Sequence, residues 1–318
     1  SRFWGGNKED FLQGALFDNN SIYLLGSSKS SDIPCSIGGP LSDSQNIFLA
    51  KMNITDLGVQ YSRYLGGSKE DQMTQFIIAD SMLQVTGYTS SADFPSTNGT
   101  TATSVLNDLY DGFFTRFNPD GNIQFSSYLT TEDRDNPVKI LTESGNTYVG
   151  GTSVSIDGKK FLGLFKIGQS GNIVYNRKYQ IGTSSNNNIS PSFNLVNDGI
   201  LISGITLSPA YPVSNGSQFF SSGTGFFTNL DRNGFISHST YLGNMTNLMP
   251  LLYDNGLVYL AGQSSIATYP STNGSTPSGG ADNHLIILKP DGSRVYAAYF
   301  GGSADDQPKL SVLQGSKW

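Results

Sequence analysis

An all-β fold of repeated four-stranded antiparallel units is what this sequence predicts, on three observations. A ten-residue phrase recurs, as S-R-F-W-G-G-N-K-E-D at Ser1–Asp10, S-R-Y-L-G-G-S-K-E-D at Ser62–Asp71 and A-A-Y-F-G-G-S-A-D-D at Ala297–Asp306, with worn copies at Ser126–Thr131, Lys178–Thr183 and Ser239–Asn244. Its ring residue marks Phe3, Tyr64, Tyr128, Tyr179, Tyr241 and Tyr299, at spacings of 61, 64, 51, 62 and 58 residues. Between the markers lie short apolar runs bounded by turn residues, and no stretch combines the apolar i, i+3, i+4, i+7 spacing of a helix with its caps. A period of about 60 residues filled with short strands lies above the usual solenoid range and points to the blades of a β-propeller.

Each repeat reads as four strands. Strand A is Phe11–Asp18 in the first repeat and Gln75–Asp80 in the second, with counterparts at Val138–Thr142, Phe193–Val196, Leu251–Asp254 and Leu310–Leu313. These runs are apolar and bounded by turn residues, as buried strands are. Strand B is Ile22–Gly26, Leu83–Gly87, Thr147–Gly151, Ile200–Gly204 and Val258–Gly262. The glycine that ends every copy predicts a bulge or a close-passing backbone. Strand C follows a longer loop, at Ile47–Met52, Phe113–Phe117, Leu162–Ile167, Phe226–Leu230 and Leu285–Leu288. Then come N-P-D-G, G-Q-S-G, D-R-N-G and K-P-D-G in repeats two to five. Where Pro is present it pre-sets the first turn angle, and Gly accepts positive φ, so these are hairpin turns. Strand D returns the chain to the next marker, at Val59–Tyr64, Ile123–Tyr128, Ile173–Tyr179, Phe235–Tyr241 and Arg294–Tyr299.

The repeats run approximately 1–61, 62–125, 126–175, 176–238 and 239–296, with a partial sixth over 297–318, all in one predicted propeller domain. Trp318 stands as far beyond Tyr299 as Leu83 stands beyond Tyr64, at the start of a strand B. The expectation is five complete blades and part of a sixth, within a longer chain of six or seven blades.

The unit Y-L-G-G-S-x-(E/D)-D, then V-T-G-Y-T-S-S-x-D-F-P, then F-N-P-D-G-N resembles the SBBP, or seven-bladed β-propeller, repeat. Repeat two matches nearly throughout; repeat three is short and lacks the aromatic-Pro loop. The resemblance implies the fold and hardly any chemistry, since such repeats occur mostly as modules of large secreted or cell-surface proteins. WD40 blades would carry Gly-His and Trp-Asp pairs, whereas the only Trp residues are Trp4 and Trp318; kelch blades place a glycine pair at the end of the second strand, whereas the pairs of the recurring phrase follow the fourth.

Charged residues are 14% of the chain and the net charge is −6, with no basic stripe, which argues against nucleic acid as a partner. No apolar run approaches the length needed to span a bilayer. The N-terminus starts inside a repeat with no signal-peptide pattern, so any export signal is expected to have been removed or to lie outside this sequence. Cys35 is the single cysteine and pairs with no other within the chain. Seven N-x-S/T acceptor patterns occur, at Asn19, Asn53, Asn98, Asn188, Asn215, Asn244 and Asn273, no more than the Asn, Ser and Thr content produces by accident.

In an A-B-C-D meander the B–C and D–A connections share one face, and it is there that the long loops lie and function is expected. An aromatic or Ile followed by Pro stands seven residues beyond the strand-B glycine at Ile33-Pro34, Phe94-Pro95, Tyr211-Pro212 and Tyr269-Pro270. Phe94, Tyr211 and Tyr269 are either plugs between blades or platforms for sugar or peptide. Paired acids follow strand D at Glu9-Asp10, Glu70-Asp71, Glu132-Asp133 and Asp305-Asp306. They either tie the D–A turn or, grouped round a channel mouth, hold Ca²⁺, the one cofactor the sequence suggests. The same pair in several blades is unlike a catalytic site, which is normally built once, so no catalytic residue is assigned. His238 and His284 lack metal-ligand spacing and read as surface or packing residues.

These readings lead to a non-enzymatic extracellular or cell-surface module, part of a filament, coat or adhesive layer, whose partners are other surface or filament proteins or copies of itself. The rivals are a lectin-like propeller that binds glycans through its loop aromatics, and a glycoside hydrolase or lyase.

Overall fold

Glycine and bulge positions set the frame of each repeat. In a computed structural model, which describes residues 5–38, 44–101, 109–131, 134–182, 191–206, 208, 211–214, 224–248, 252–264 and 271–306, every regular element is a strand. The first sheet is the antiparallel meander β1 (Asp10–Asp18), β2 (Ser21–Ser28), β3 (Asn46–Asn53) and β4 (Val59–Leu65), and the second repeats it with β5 (Asp71–Ala79), β6 (Met82–Thr89), β7 (Asp111–Phe117) and β8 (Ile123–Leu129). The third is β9 (Arg134–Glu143), β10 (Asn146–Val154), β11 (Lys160–Ile167) and β12 (Ile173–Gly182). The fourth is β13 (Ser192–Val196), β14 (Gly199–Ile205), β15 (Gly225–Leu230) and β16 (Ile236–Tyr241). In the fifth, strand A comes as two pieces, β17 (Asn247–Leu248) and β18 (Leu252–Asp254), both pairing β19 (Leu257–Ser264), followed by β20 (Asp282–Leu288) and β21 (Arg294–Phe300). All five predicted A-B-C-D sets are thus present; the last has five strands rather than four. The predicted strand at Leu310–Leu313 lies outside the described residues, as do the aromatic markers Phe3 and Trp4.

The strand-B glycine does both things expected of it. The A–B register shifts at Leu12/Gly14 opposite Gly26, at Met73/Gln75 opposite Gly87 and at Pro137/Lys139 opposite Gly151, so a bulge sits at the same place in three sheets. A Cβ on Gly26 would lie 2.1 Å from Phe11 O, and one on Gly87 2.0 Å from Gln72 O, so only glycine lets the bulged backbone pass. A second bulge recurs where strand C meets D, at Lys51/Met52, Arg116/Phe117, Asn229/Leu230 and Ile287/Leu288. It is the one-residue offset that a type I turn followed by a left-handed glycine produces, and Gly121, Gly234 and Gly292 have φ of 83°, 77° and 81°.

The chain packs as two compact units, one of residues 1–158 and 162–178, the other of residues 159–161 and 179–318. In the first, Leu25, Leu49, Val85 and Phe113 belong to one core between the first and second sheets, and Phe114, Leu129, Val149 and Ile167 to another between the second and third. In the second unit, Leu201, Phe227, Leu260 and Ile286 fill the space between the fourth and fifth sheets. Every residue of β7 and of β15 is buried, because both faces of a central strand are covered; that is why Phe113 and Phe114, and Phe226 and Phe227, stand side by side without alternation. Strand A of the first repeat differs from its expectation. Phe11, Leu12 and Phe17 are 57%, 59% and 66% exposed, so β1 is not a buried strand.

The sheets within each unit are tied by one recurring device. A strand-C side chain donates to a carbonyl in the C–D turn of the following sheet: Lys51 Nζ to Pro119 O at 3.1 Å, Arg116 Nη1 to Gln169 O at 3.1 Å and Asn229 Nδ2 to Pro290 O at 3.1 Å. Beside it, the turn glycine lies on a strand-D ring of the preceding sheet. Added Cβ atoms on Gly121, Gly171 and Gly292 would meet Tyr61 at 2.6 Å, Phe125 at 2.5 Å and His238 at 1.9 Å. His238 therefore stands where its counterparts are Tyr61 and Phe125, as a packing residue.

Candidate functional site

The loop face is assembled from the repeated phrase and the B–C loop. The marker tyrosine reaches across that loop with its hydroxyl. Tyr128 Oη donates to Ser91 O at 2.7 Å and accepts from Phe94 N at 3.0 Å, and Tyr241 Oη donates to Ser208 O at 2.8 Å and accepts from Tyr211 N at 3.2 Å. Tyr64 does the same with Ser30 O and Ile33 N. Each bridge satisfies two backbone groups that burial would otherwise leave orphaned. Burial pushes the Tyr128 hydroxyl up to about 12, so it stays a donor.

That bridge fixes the residue before Pro inside the sheet packing. Phe94 and Tyr211 are each only 3% exposed. Phe94 lies 4.4 Å from Phe113 between ring centroids, and Tyr211 lies 4.5 Å from Phe226 and shares a 2.6 Å hydrogen bond with Thr228 Oγ1. Both rings are used in packing and neither offers a face on which a sugar could stack, which corrects the platform reading for these two residues. Tyr269 lies outside the described residues. In the fifth repeat His284 takes the place of the phenylalanine below the loop: it pairs with Gly262 and Tyr299 as Phe113 pairs with Gly87 and Tyr128. It stacks on Tyr299 at 5.4 Å, and burial pulls its imidazole down to about 4, so it is a neutral ring filling an aromatic's position.

The second acid of each pair closes the D–A turn. Gly6 N donates to Asp10 Oδ2 at 2.8 Å, Gly67 N to Asp71 Oδ2 at 2.7 Å and Gly302 N to Asp306 Oδ2 at 2.8 Å, always four residues apart. Hydroxyls of strand B and its loop complete the tie, Ser28 and Ser30 on Asp10 and Thr89 and Ser91 on Asp71. In the third repeat the same four-residue step runs from Thr131 N to Asp135 Oδ2 at 3.0 Å, so Asp135 closes that turn; the predicted pair Glu132-Asp133 lies outside the described residues. The first acids are engaged locally: Glu9 pairs with Lys29 at 2.8 Å, which holds its carboxyl below the ordinary range, and Glu70 accepts from Gln72. Asp305 accepts from Ala281 N at 2.8 Å. These carboxylates are distributed one turn at a time. Among the described residues no three His, Cys, Asp or Glu side chains converge as metal ligands.

The sequons are used in turns too. Asn98 Oδ1 accepts from Thr100 N and its Nδ2 donates to Ser127 Oγ at 3.0 Å; Asn273 Oδ1 accepts from Ser275 N at 3.1 Å. Asn19 has a positive φ of 51° and Asn53 Oδ1 accepts from Thr55 N at 2.7 Å, while Asn244 is exposed. Asn188 and Asn215 lie outside the described residues.

No protein-family model and no curated protein matches the chain. Solved structures do. The chain is similar to a quinohemoprotein alcohol dehydrogenase from Comamonas testosteroni (TM-score 0.48, 9% identity, covering 91% of this chain and 53% of that one), so it spans about half the length of that enzyme. It is similar to a lignostilbene dioxygenase from Pseudomonas brassicacearum (TM-score 0.41, 10% identity, 88% and 64% covered). It is also similar to the β-propeller domain of the Trilobed protease from Pyrococcus furiosus (TM-score 0.30, 9% identity, 88% and 83% covered).

The opposite, short-turn face of the first unit carries a feature that the sequence reading passed over. A cleft of about 420 Å³ is lined by Asp80, Met82, Gln84, Arg116, Gln124 and Gln169 together with Ala79, Ser144 and Gly145. Arg116 enters it from strand C, donating from Nη2 to Thr147 Oγ1 at 3.0 Å, while Thr147 Oγ1 donates to Gln84 Oε1 at 2.9 Å. Its sequence signal was slight: an arginine where the other repeats place Lys51, Lys166, Asn229 and Ile287.

Proposed function

We propose that this chain is a non-catalytic β-propeller module of a secreted or cell-surface protein, contributing five blades and part of a sixth to a ring of six or seven, with a structural or adhesive role exercised through protein–protein contacts. One observation carries this reading. Among the described residues, the marker tyrosines, the second acids and the aromatics before Pro on the loop face are engaged by the same local bonds in more than one repeat: the tyrosine bridge, the four-residue Asp tie and the buried ring. A catalytic site needs one place that differs from its copies; a scaffold needs the copies alike. The recurring tie between strand C and the next C–D turn likewise supports successive blades.

The test is a pair of measurements on the intact chain. Sedimentation velocity over a dilution series should show reversible assembly, and a panel of chromogenic glycosides and uronate polysaccharides should show no turnover. Turnover that disappears on substituting a single acid would replace this reading with a glycosidase or lyase. A strictly monomeric chain, retained by no surface protein in a pull-down, would remove the assembly role.

A further inference from the structure

Arg116 presents a buried cation whose protein partners are neutral. The residue is 4% exposed, and its two hydrogen-bond partners are a carbonyl, Gln169 O, and a hydroxyl, Thr147 Oγ1. Its Nε is buried and has no hydrogen-bond partner, and the guanidinium makes no ion pair among the described residues. It lies 5.7 Å from the centre of the Phe114 ring, a contact that tolerates charge without neutralising it. A guanidinium stays charged at any ordinary pH, and burying one without an anion is strongly unfavourable.

The scaffold does not require that charge. Lys51 makes the same inter-sheet tie with a single ammonium, and Asn229 makes it with a neutral amide. What Arg116 adds is a planar guanidinium whose Nη1 and Nη2 each keep one N–H beyond their bonds to Gln169 O and Thr147 Oγ1, and such a pair of donors matches a carboxylate. The cleft it lines falls in the size range of small-molecule sites. The exposed part of the lining suits a hydroxylated ligand: the side-chain amides of Gln124 and Gln169 and the hydroxyl of Ser144, with Gln84 buried behind them and only Ala79 and Met82 apolar. Asp80 also lines the cleft, exposed at a turn with φ 51°; burial pulls the Arg116 guanidinium below its ordinary value, and Asp80 acts on it through space in the other direction.

We propose that this cleft between the second and third sheets binds a small polyhydroxylated carboxylate, a sugar acid of monosaccharide size, with the carboxylate on Arg116 and the hydroxyls on the surrounding amides. The site lies on the face opposite the long loops and does not depend on the propeller reading. Asp80 faces the same space, so its charge weakens the binding of an anion, and this gives the site a signature that a general sticky surface lacks.

The experiment is calorimetric titration of the whole chain at low salt with glucuronate, with glucose and N-acetylglycine as companion probes. Glucuronate should bind and glucose should not; N-acetylglycine should bind weakly or not at all. Asp80→Asn, a change at an exposed turn that Asn accepts, should tighten glucuronate by roughly 3- to 10-fold, with the gain shrinking as salt is added. Arg116→Lys places here the residue type found at positions 51 and 166 and should weaken glucuronate by about 10-fold or more at an unchanged melting temperature. Gln124→Leu at the exposed rim supplies a third arm and should weaken glucuronate alone. The proposal fails if glucuronate gives no heat at millimolar concentration, if glucose binds equally, or if Asp80→Asn leaves affinity unchanged. N-acetylglycine binding as tightly as glucuronate would overturn the sugar-acid assignment in favour of a peptide-like carboxylate.

Discussion

Asp71 is fully buried at the start of β5, and burial pushes its carboxyl up to about 6 from an ordinary 3.8, against the pull of its hydrogen bonds from Thr89, Gly67 and Ser91. A group whose pKa is higher in the folded chain favours folding in its protonated form. Its contribution is full below about pH 4 and is lost as pH rises through about 6. Asp71→Asn keeps the size and one acceptor oxygen but does not titrate. Urea unfolding of both proteins between about pH 4 and about pH 7 should therefore show the variant gaining on the wild type as pH rises, by on the order of 2–3 kcal/mol over the window. A difference independent of pH would mean that Asp71 titrates as an ordinary carboxylate. Part of this role was readable beforehand: a Gly-Gly followed by paired acids is a turn with its own acceptors. Which acid does the tying was not, because the deciding quantity is the four-residue step from the turn N–H. That step selects Asp71 over Glu70 and brings in Asp135, which belongs to no acid pair.

At the scale of the element, the C–D hairpin shows why one glycine can be more costly to replace than another. Gly121 and Gly99 have similar positive φ, 83° and 75°, so alanine is strained by the backbone at both. They differ in what a Cβ would meet, the Tyr61 ring at 2.6 Å for Gly121 and nothing within 4 Å for Gly99. Gly99→Ala should cost about 1 kcal/mol from backbone strain, and Gly121→Ala about 2–4 kcal/mol, the excess being the overpacked seam. Equal losses in chemical denaturation would show that the turn glycine serves φ alone. The hairpin itself was legible in N-P-D-G and its relatives. Its second duty, lying flat on a ring from the preceding sheet, was not, because that ring stands about 60 residues away and no local pattern links the two. The aromatic before Pro is the complementary case. Its recurrence was plain, and its burial under a tyrosine hydroxyl could not be told from exposure until the loop's course was known.

For the whole molecule, the period marked where strands A to D of each described sheet lie, since every sheet must solve the same problem of turn, bulge and covered faces. It was silent about what differs between copies, and the Arg116 cleft is such a difference. Repeated sheets that contact mainly their neighbours are expected to share stability locally, so damage at one seam should spread a short distance. Gly121→Ala strikes the seam between the first and second sheets, where Tyr61, Arg63 and Lys51 all meet the turn of β7 and β8. Hydrogen exchange read by mass spectrometry should rise in peptides covering β3, β4, β7 and β8, with little change in β14, β15, β19 and β20 of the second unit. A uniform rise across all five sheets would show instead that the chain opens as one cooperative body, and local seam strength would then say nothing about where it opens first.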